Sequence, residues 1–157
     1  MGRVAVVLTI FALTTGFDQG SKEWARSSLE IHQPKPVIAG FWDWELAMNP
    51  GAAFSSFRGG GTGTQIILSI LAMLALVGIG VMAARTAPEQ RLLRVALAMI
   101  GGGALGNLID RMRDGAVTDF VRRRWRWHEH AWPIFNVADA ALLIADSLVG
   151  KRRRLAA

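Results

Sequence analysis

The apolar residues of this chain fall into four blocks separated by polar, charge-rich stretches. The first runs from about Val4 to Phe17, the second from Ile66 to Ala84, the third from about Leu92 to Ile109 and the fourth from about Ile134 to Val149. A helix needs about 20 apolar residues to cross a bilayer, so the second block, unbroken by charge, is the clearest span. The others are slightly short. That limits their tilt and brings the polar groups at block ends near the membrane surface. The first block has the length of a cleavable leader's apolar region. No small-x-small cleavage pattern follows it, and the chain continues Phe17-Asp18-Gln19-Gly20-Ser21-Lys22, so it reads as an uncleaved first helix. Spans are expected at about 4–21, 65–84, 92–110 and 134–149, within a single integral membrane domain of residues 1–157.

Two loops, at about 23–64 and 111–133, hold most of the remaining sequence. In the first, Trp42, Trp44, Leu46 and Met48 alternate with Asp43, Glu45 and Ala47, the period of a strand with one apolar face. In the second, Val117, Asp119 and Val121 alternate with Thr118 and Phe120, a weaker strand signal. The expected fold class is therefore membrane all-α with a small β part: four transmembrane helices and a small sheet on the membrane surface. Trp125, Trp127 and Trp132 would lie at head-group level, where tryptophan is enriched. Gly59-Gly60-Gly61-Thr62-Gly63 reads as a flexible linker into the second span. In the third block, Gly101-Gly102-Gly103 and Gly106 let a neighbouring helix approach closely.

Composition agrees with this segregation. Hydrophobic residues make up 52% of the chain, yet Lys and Arg number 18 against 12 Asp and Glu, for a net charge of +6. Such a charge can mark nucleic-acid binding. Here the basic residues flank apolar blocks, as they do beside anionic lipid head groups, so nucleic acid is not an expected partner. Four spans put both termini on one side. Arg3, Arg85, Arg91, Arg94 and the Lys151–Arg154 tail lie on that side, and the other ten basic residues on the opposite side. This count alone does not orient the protein, although the short 85–91 turn and the basic tail, close to span ends, favour termini inside. With no cysteine, thiolate chemistry and disulfides are excluded. His128-Glu129-His130 lacks the helical His-Glu-x-x-His register of a zinc site, and no metal or other cofactor is expected.

The informative residues are ionisable groups at the ends of apolar blocks. Such a group costs about 2.5–3.5 kcal/mol at a helix centre and needs a partner or a task. Asp18 and Lys22 close the first block, Asn107, Asp110 and Arg111 the third, and Asn136 and Asp139 open the fourth, with Asp119 between. With alternating span direction, all of these fall at one membrane face. Asp18 and Lys22, four apart, can pair on one helix face, as a structural pair or as a substrate contact. Arg111 suits an organiser that holds a carboxylate or a substrate carbonyl with its fork of donors. Asp146 lies nearer the other surface and reads as structural. Asp119 and Asp139 stand on different elements, so only tertiary folding can join them. If they meet, one carboxyl pKa rises and the pair shares a proton; the charged member can then activate water while the neutral one donates to a carbonyl. Three readings remain open on these grounds: an aspartyl peptidase, a four-span transporter using Asp139 and Asp110 as a cation relay, and a lipid-binding scaffold.

Four stretches, taken together and in order, resemble one family. They are Asp18-Gln19-Gly20-Ser21-Lys22, then Asn49-Pro50-Gly51-Ala52-Ala53-Phe54-Ser55, then Gly101-Gly102-Gly103-Ala104-Leu105-Gly106-Asn107-Leu108-Ile109-Asp110-Arg111 continuing to Val117-Thr118-Asp119-Phe120, and Phe135-Asn136-Val137-Ala138-Asp139. Each is modest alone; in this order they are similar to the signatures of bacterial lipoprotein signal peptidase, or signal peptidase II. The resemblance implies a cytoplasmic (inner) membrane enzyme with cytoplasmic termini and an extracytoplasmic sheet and active site. It implies cleavage of prolipoproteins just before the diacylglyceryl-modified cysteine, with Asp119 and Asp139 catalytic. It places Asn49, Gly51, Asn107, Arg111 and Asn136 around the substrate, with Asp18, Lys22, Gly103, Asp110 and Ala138 in support. Its implied partners are lipid-modified signal peptides, membrane phospholipid and globomycin-type inhibitors, for a protein working as a monomer. The stretch Arg122–His130 is the least family-like part.

Overall fold

The computed structural model describes residues 2–51, 62–123 and 134–145. Its elements, in chain order, are α1 (Arg3–Ser28), β1 (Lys35–Ile38), β2 (Trp42–Asn49), α2 (Thr62–Arg85), α3 (Arg91–Asp114) and β3 (Val117–Arg123). Residues 137–145 are again helical and form α4. Among the described residues, three helices are long and apolar enough to cross a membrane: Val4–Ser28, Thr62–Arg85 and Arg91–Asp114. The rest of the fourth apolar block, with Asp146, lies outside the described residues. So do Trp125, Trp127, Trp132, the His128-Glu129-His130 triplet, residues 59–61 of the glycine-rich linker and residues 52–55 of the second signature.

The helices outrun the apolar blocks that mark them. α1 continues to Ser28, past the boundary expected at residue 21, so the first connecting segment starts later than residue 23. The cause is the four-residue spacing of Asp18, Lys22 and Arg26. It keeps three charges on one helix face, where they pair inward instead of ending the helix. α3 likewise runs on to Asp114 and closes at left-handed Gly115, whose N–H reaches Arg111 O. α2 buries only Leu68 and exposes Ile66, Ile70, Leu74 and Val77, the all-round apolar surface of a helix that faces lipid.

α3 is the central helix and packs against both α1 and α2. Its glycines make the α1 contact short. The Thr15 hydroxyl lies 3.0 Å from both Phe11 O and Gly102 O. A methyl group on Gly102 would lie 2.7 Å from Phe11 O and 2.8 Å from Thr14 Cβ.

The strands form one antiparallel sheet in the order β1-β2-β3. Both strands read from alternation are present. β1 carries no alternation signal, being four exposed residues with Pro36 at a sheet edge, where a missing N–H is tolerated. β2 departs from the expected single apolar face. Asp43 and Glu45 are buried together with Leu46, while Trp42 and Trp44 are half-buried. The register slips between Trp44 and Ala47, which breaks the period-two alternation, and Arg122 on β3 pairs with Glu45. The sheet packs on the last turns of α1. Ala25, Leu29, Leu46 and Phe120 form a buried cluster with Trp44, Val121 and Val137 against it. Trp24 meets Trp44 edge-on at 5.2 Å between ring centroids.

Gly102→Ala is expected to lower the thermal unfolding temperature in detergent, at a cost of about 1–3 kcal/mol for overpacking against a backbone oxygen. Gly16→Ala, where an added methyl meets nothing within 4 Å, is the control and should lose no stability.

Candidate active site

A set of side-chain pairings brings distant polar groups to one end of the helices. Lys22, with no exposed side-chain surface, lies 2.8 Å from Asp18 and 3.0 Å from Asp110, both equally buried. Its third donor reaches Asn107 Oδ1 at 2.7 Å. The other Asp18 oxygen accepts the backbone N–H of Ala138 at 3.0 Å, so this carboxylate ties α1 to the start of α4. Asp110 is held further by Arg26 at 2.8 Å and by the Gln19 amide at 3.1 Å. Asp18 and Lys22 thus form a buried ion pair, inside a cluster that includes Asp110.

The fourth signature acts through a reciprocal cap. Asp139 N–H donates to Asn136 Oδ1, and Asn136 N–H donates to Asp139 Oδ2, each at 3.2 Å. This is a capping box at the start of α4, and it fixes the Asp139 carboxylate. β3 sets the approach of this segment. Val121 N–H donates to Phe135 O at 2.9 Å and Phe135 N–H to Val121 O at 3.1 Å. That pairing carries Asn136 alongside Asp119, so the side-chain amide of Asn136 donates to Asp119 Oδ1 at 2.7 Å. Asn136 therefore binds both aspartates. Its amide also lies 3.3 Å from Asn107 Oδ1, which joins the pair to the Lys22 cluster.

The second Asp119 oxygen accepts from Asn49 Nδ2 at 3.1 Å. Asn49 is oriented by its own turn, since Gly51 N–H donates to Asn49 Oδ1 at 3.1 Å, an Asx-type bond. Gly51 therefore shapes the site through Asn49. Gly103 sits against Ala138, where an added methyl would lie 3.1 Å from Ala138 Cα and O; the bare backbone lets α3 and α4 meet beside Asp139. Burial pushes the Asp119 carboxyl up to about 7. The Asn49 amide opposes that rise, the neighbouring Asp139 charge adds to it, and Asn136 and Lys22 oppose it. Asp119 is 4% exposed, whereas Asp139 is half-buried.

Arg111 is half-buried within the fields of Asp119, Asp110 and Asp139. Among the described residues it makes no ion pair. Its NH1 lies 3.4 Å from Asn107 O, and its buried Nε has no hydrogen-bond partner. Every candidate from the sequence thus falls at this one end of the fold. Three contributors carried no role in that reading: Arg26, Gln19 and Thr118. Arg26 had a visible signal, because it continues the four-residue stride of Asp18 and Lys22 along one helix face. The Thr118 contacts depend on tertiary packing and left no mark in the sequence.

Membrane-length helices around a carboxylate pair define the class of membrane aspartic peptidases. The family model described as signal peptidase (SPase) II matches residues 10–149, and the chain belongs to that family. It is 43% identical over 140 residues to the lipoprotein signal peptidase of Xanthomonas axonopodis pv. citri, covering 87% of this chain and 78% of that one. With the lipoprotein signal peptidase of Teredinibacter turnerae it shares 41% identity over 141 residues, covering 86% and 82%. A solved bacterial membrane enzyme, determined by the in meso method at 1.9 Å resolution, superposes with a TM-score of 0.81 at 28% identity, covering 93% of this chain and 90% of that one.

Replacing Lys22 by Met should destabilise the fold by about 3–5 kcal/mol, because it leaves the buried Asp18 carboxylate without a cation and removes one of the two cations on Asp110. Thermal unfolding in detergent checks this; an unfolding temperature equal to wild type would show that the cluster does not hold the helices.

Proposed function

We propose that Asp119 and Asp139 are the catalytic pair of an endopeptidase that removes the signal peptide of prolipoproteins just before the diacylglyceryl-modified cysteine. The supporting observation is the double engagement of Asn136, whose amide holds Asp119 while its backbone and carbonyl oxygen hold Asp139. The Asp139 charge adds to the rise of the Asp119 carboxyl, so the two acids titrate as a coupled pair, in which one can stay protonated while the other is ionised. The ionised member takes a proton from water, and the protonated member donates to the scissile carbonyl as the tetrahedral carbon forms. On collapse, the leaving amine takes a proton back from the pair, so no covalent intermediate on the enzyme is required. The uncommitted donors of Arg111 suit a substrate carbonyl. Asn49 and Asn107 complete the polar wall, with Asp18, Lys22, Gly103, Asp110 and Ala138 holding it in place.

Four spans, both termini cytoplasmic and the acids at the extracytoplasmic face of the inner membrane make up the remainder of this reading. The apolar length of block four and the single-ended grouping of the acids support it. The lipid of the substrate and membrane phospholipid would lie along the exposed helix faces, globomycin-type peptides would compete at the same pair, and the chain would act as a monomer. The family match and the acids' position at helix ends favour hydrolysis over a cation relay.

With purified protein and a lipid-modified precursor peptide, Asp119→Asn and Asp139→Asn should each reduce formation of the shortened product by about 10³-fold or more, while both still insert and unfold cooperatively. Full cleavage by either variant overturns the assignment.

The pH dependence follows from Asp119. Its carboxyl, raised to about 7, loses its proton as the pH rises through that value, so kcat/KM should fall above about pH 7. The Asn49 amide favours the ionised form, so Asn49→Ala should raise this pKa and move the alkaline limb to higher pH. A limb that stays in place or moves down contradicts the assigned bond.

A further inference from the structure

Thr118 immediately precedes Asp119, and its backbone N–H and its hydroxyl are both held from outside its own strand. Its backbone N–H donates to Asp110 Oδ2 at 2.9 Å. Its hydroxyl accepts from Arg26 Nε at 3.0 Å. Arg26 NH2 lies 2.8 Å from the other oxygen of the same Asp110 carboxylate. The three groups close a ring: guanidinium on α1, carboxylate on α3, threonine on β3. Thr118 and Asp110 have no exposed surface, and the Arg26 side chain keeps 15%. The outer edge of the guanidinium is fixed as well, by Asp114 at 3.2 Å and by Glu23 at 3.2 Å.

We propose that Arg26 is a positioning residue for the reaction, acting through the Thr118 hydroxyl to set where the Asp119 carboxylate stands. This rests on the catalytic reading of Asp119 given above. β3 pairs with β2 along one edge, in a register that is irregular between Trp44 and Ala47, and among the described residues its other edge is met only near Val121, by Phe135. The ladder beside Asp119 is therefore short, running from Ala47↔Asp119 to Asn49↔Val117. The ring supplies the missing constraint by anchoring the residue before Asp119 to two helices. A guanidinium suits this task because its planar fork engages Thr118 and Asp110 at once with fixed geometry. A lysine ammonium would keep the charge and lose the fork. Among the described contacts, the Arg26 and Thr118 side chains bond to neither the Asp119 nor the Asp139 carboxylate, so their effect is transmitted through backbone position.

Thr118→Val removes the hydroxyl while preserving β-branched shape and the N–H bond to Asp110. In the peptide-cleavage assay with full-length protein in detergent, kcat should fall about tenfold, as small misplacements of reacting groups do, with KM within about twofold of wild type. Thr118→Ser should restore kcat, which general loosening of the fold would not predict. Arg26→Lys should resemble Thr118→Val, and the double variant should be no slower than the slower single one, since both break the same bond. A Thr118→Val enzyme with unchanged kcat overturns the proposal, as does a loss confined to KM or a double variant whose losses multiply. Failure of the functional reading looks different: wild type would not cut, or Asp119→Asn would still cut.

Discussion

The ammonium of Lys22 is the constraint on which the rest of this structure depends. It is buried without exposed surface, and an isolated charge in that position would cost several kcal/mol. Its three donors are taken by Asp18, Asp110 and Asn107. Because Asp18 also accepts the Ala138 N–H, one cation fixes α1, α3 and the start of α4 relative to one another. With Arg26 on Asp110, two cations face two carboxylates, so the described cluster is close to neutral. A buried ion pair is weak evidence of net stability. Its use here is geometric: in an apolar surround, this arrangement of the helices gives each of the four charges a partner.

The link from this cluster to the acids is made by amides. Asn107 Oδ1 takes both the Lys22 ammonium and the Asn136 amide, and Asn136 continues to Asp119 and caps Asp139. An asparagine side chain passes on position through a donor and an acceptor without carrying charge. The lysine can therefore orient the site while its field on Asp119 stays subordinate. Burial still dominates and holds that carboxyl near 7. A lysine bonded directly to Asp119 would instead pull the carboxyl down and abolish the shared proton.

Much of this was legible before the fold was known, and what was hidden has physical causes. Apolar runs mark α2 and α3, and the polar residues at block ends mark the site, because charge is tolerated there only with a partner. Asp18 and Lys22 show their pairing by spacing. Asp119 and Asp139 could not be joined from sequence, since their meeting depends on the Val121–Phe135 pairing. β1 was invisible because an exposed edge strand carrying proline needs no alternation. The faces of β2 were misread at Asp43 and Glu45, where a slipped register and an ion pair with Arg122 override hydrophobic periodicity. α1 outlasted its apolar block because its charges turn inward.

The two acids differ in their access to solvent, and that difference bears on mechanism. Asp119 is nearly sealed, with both oxygens committed to amides, while Asp139 is half-buried and gives one oxygen to a backbone N–H. A cation relay needs carboxylates spaced along a path through the bilayer, each able to exchange partners. Here both belong to one hydrogen-bonded unit at one end of the helices, and the Lys22 cluster occupies the interior beyond it. Such a unit has a dry side at Asp119, whose carboxyl burial pushes up to about 7, and a side more open to solvent at Asp139. General acid–base hydrolysis uses that asymmetry, because one acid can stay protonated while the other is ionised, and the family match places this chain among peptidases.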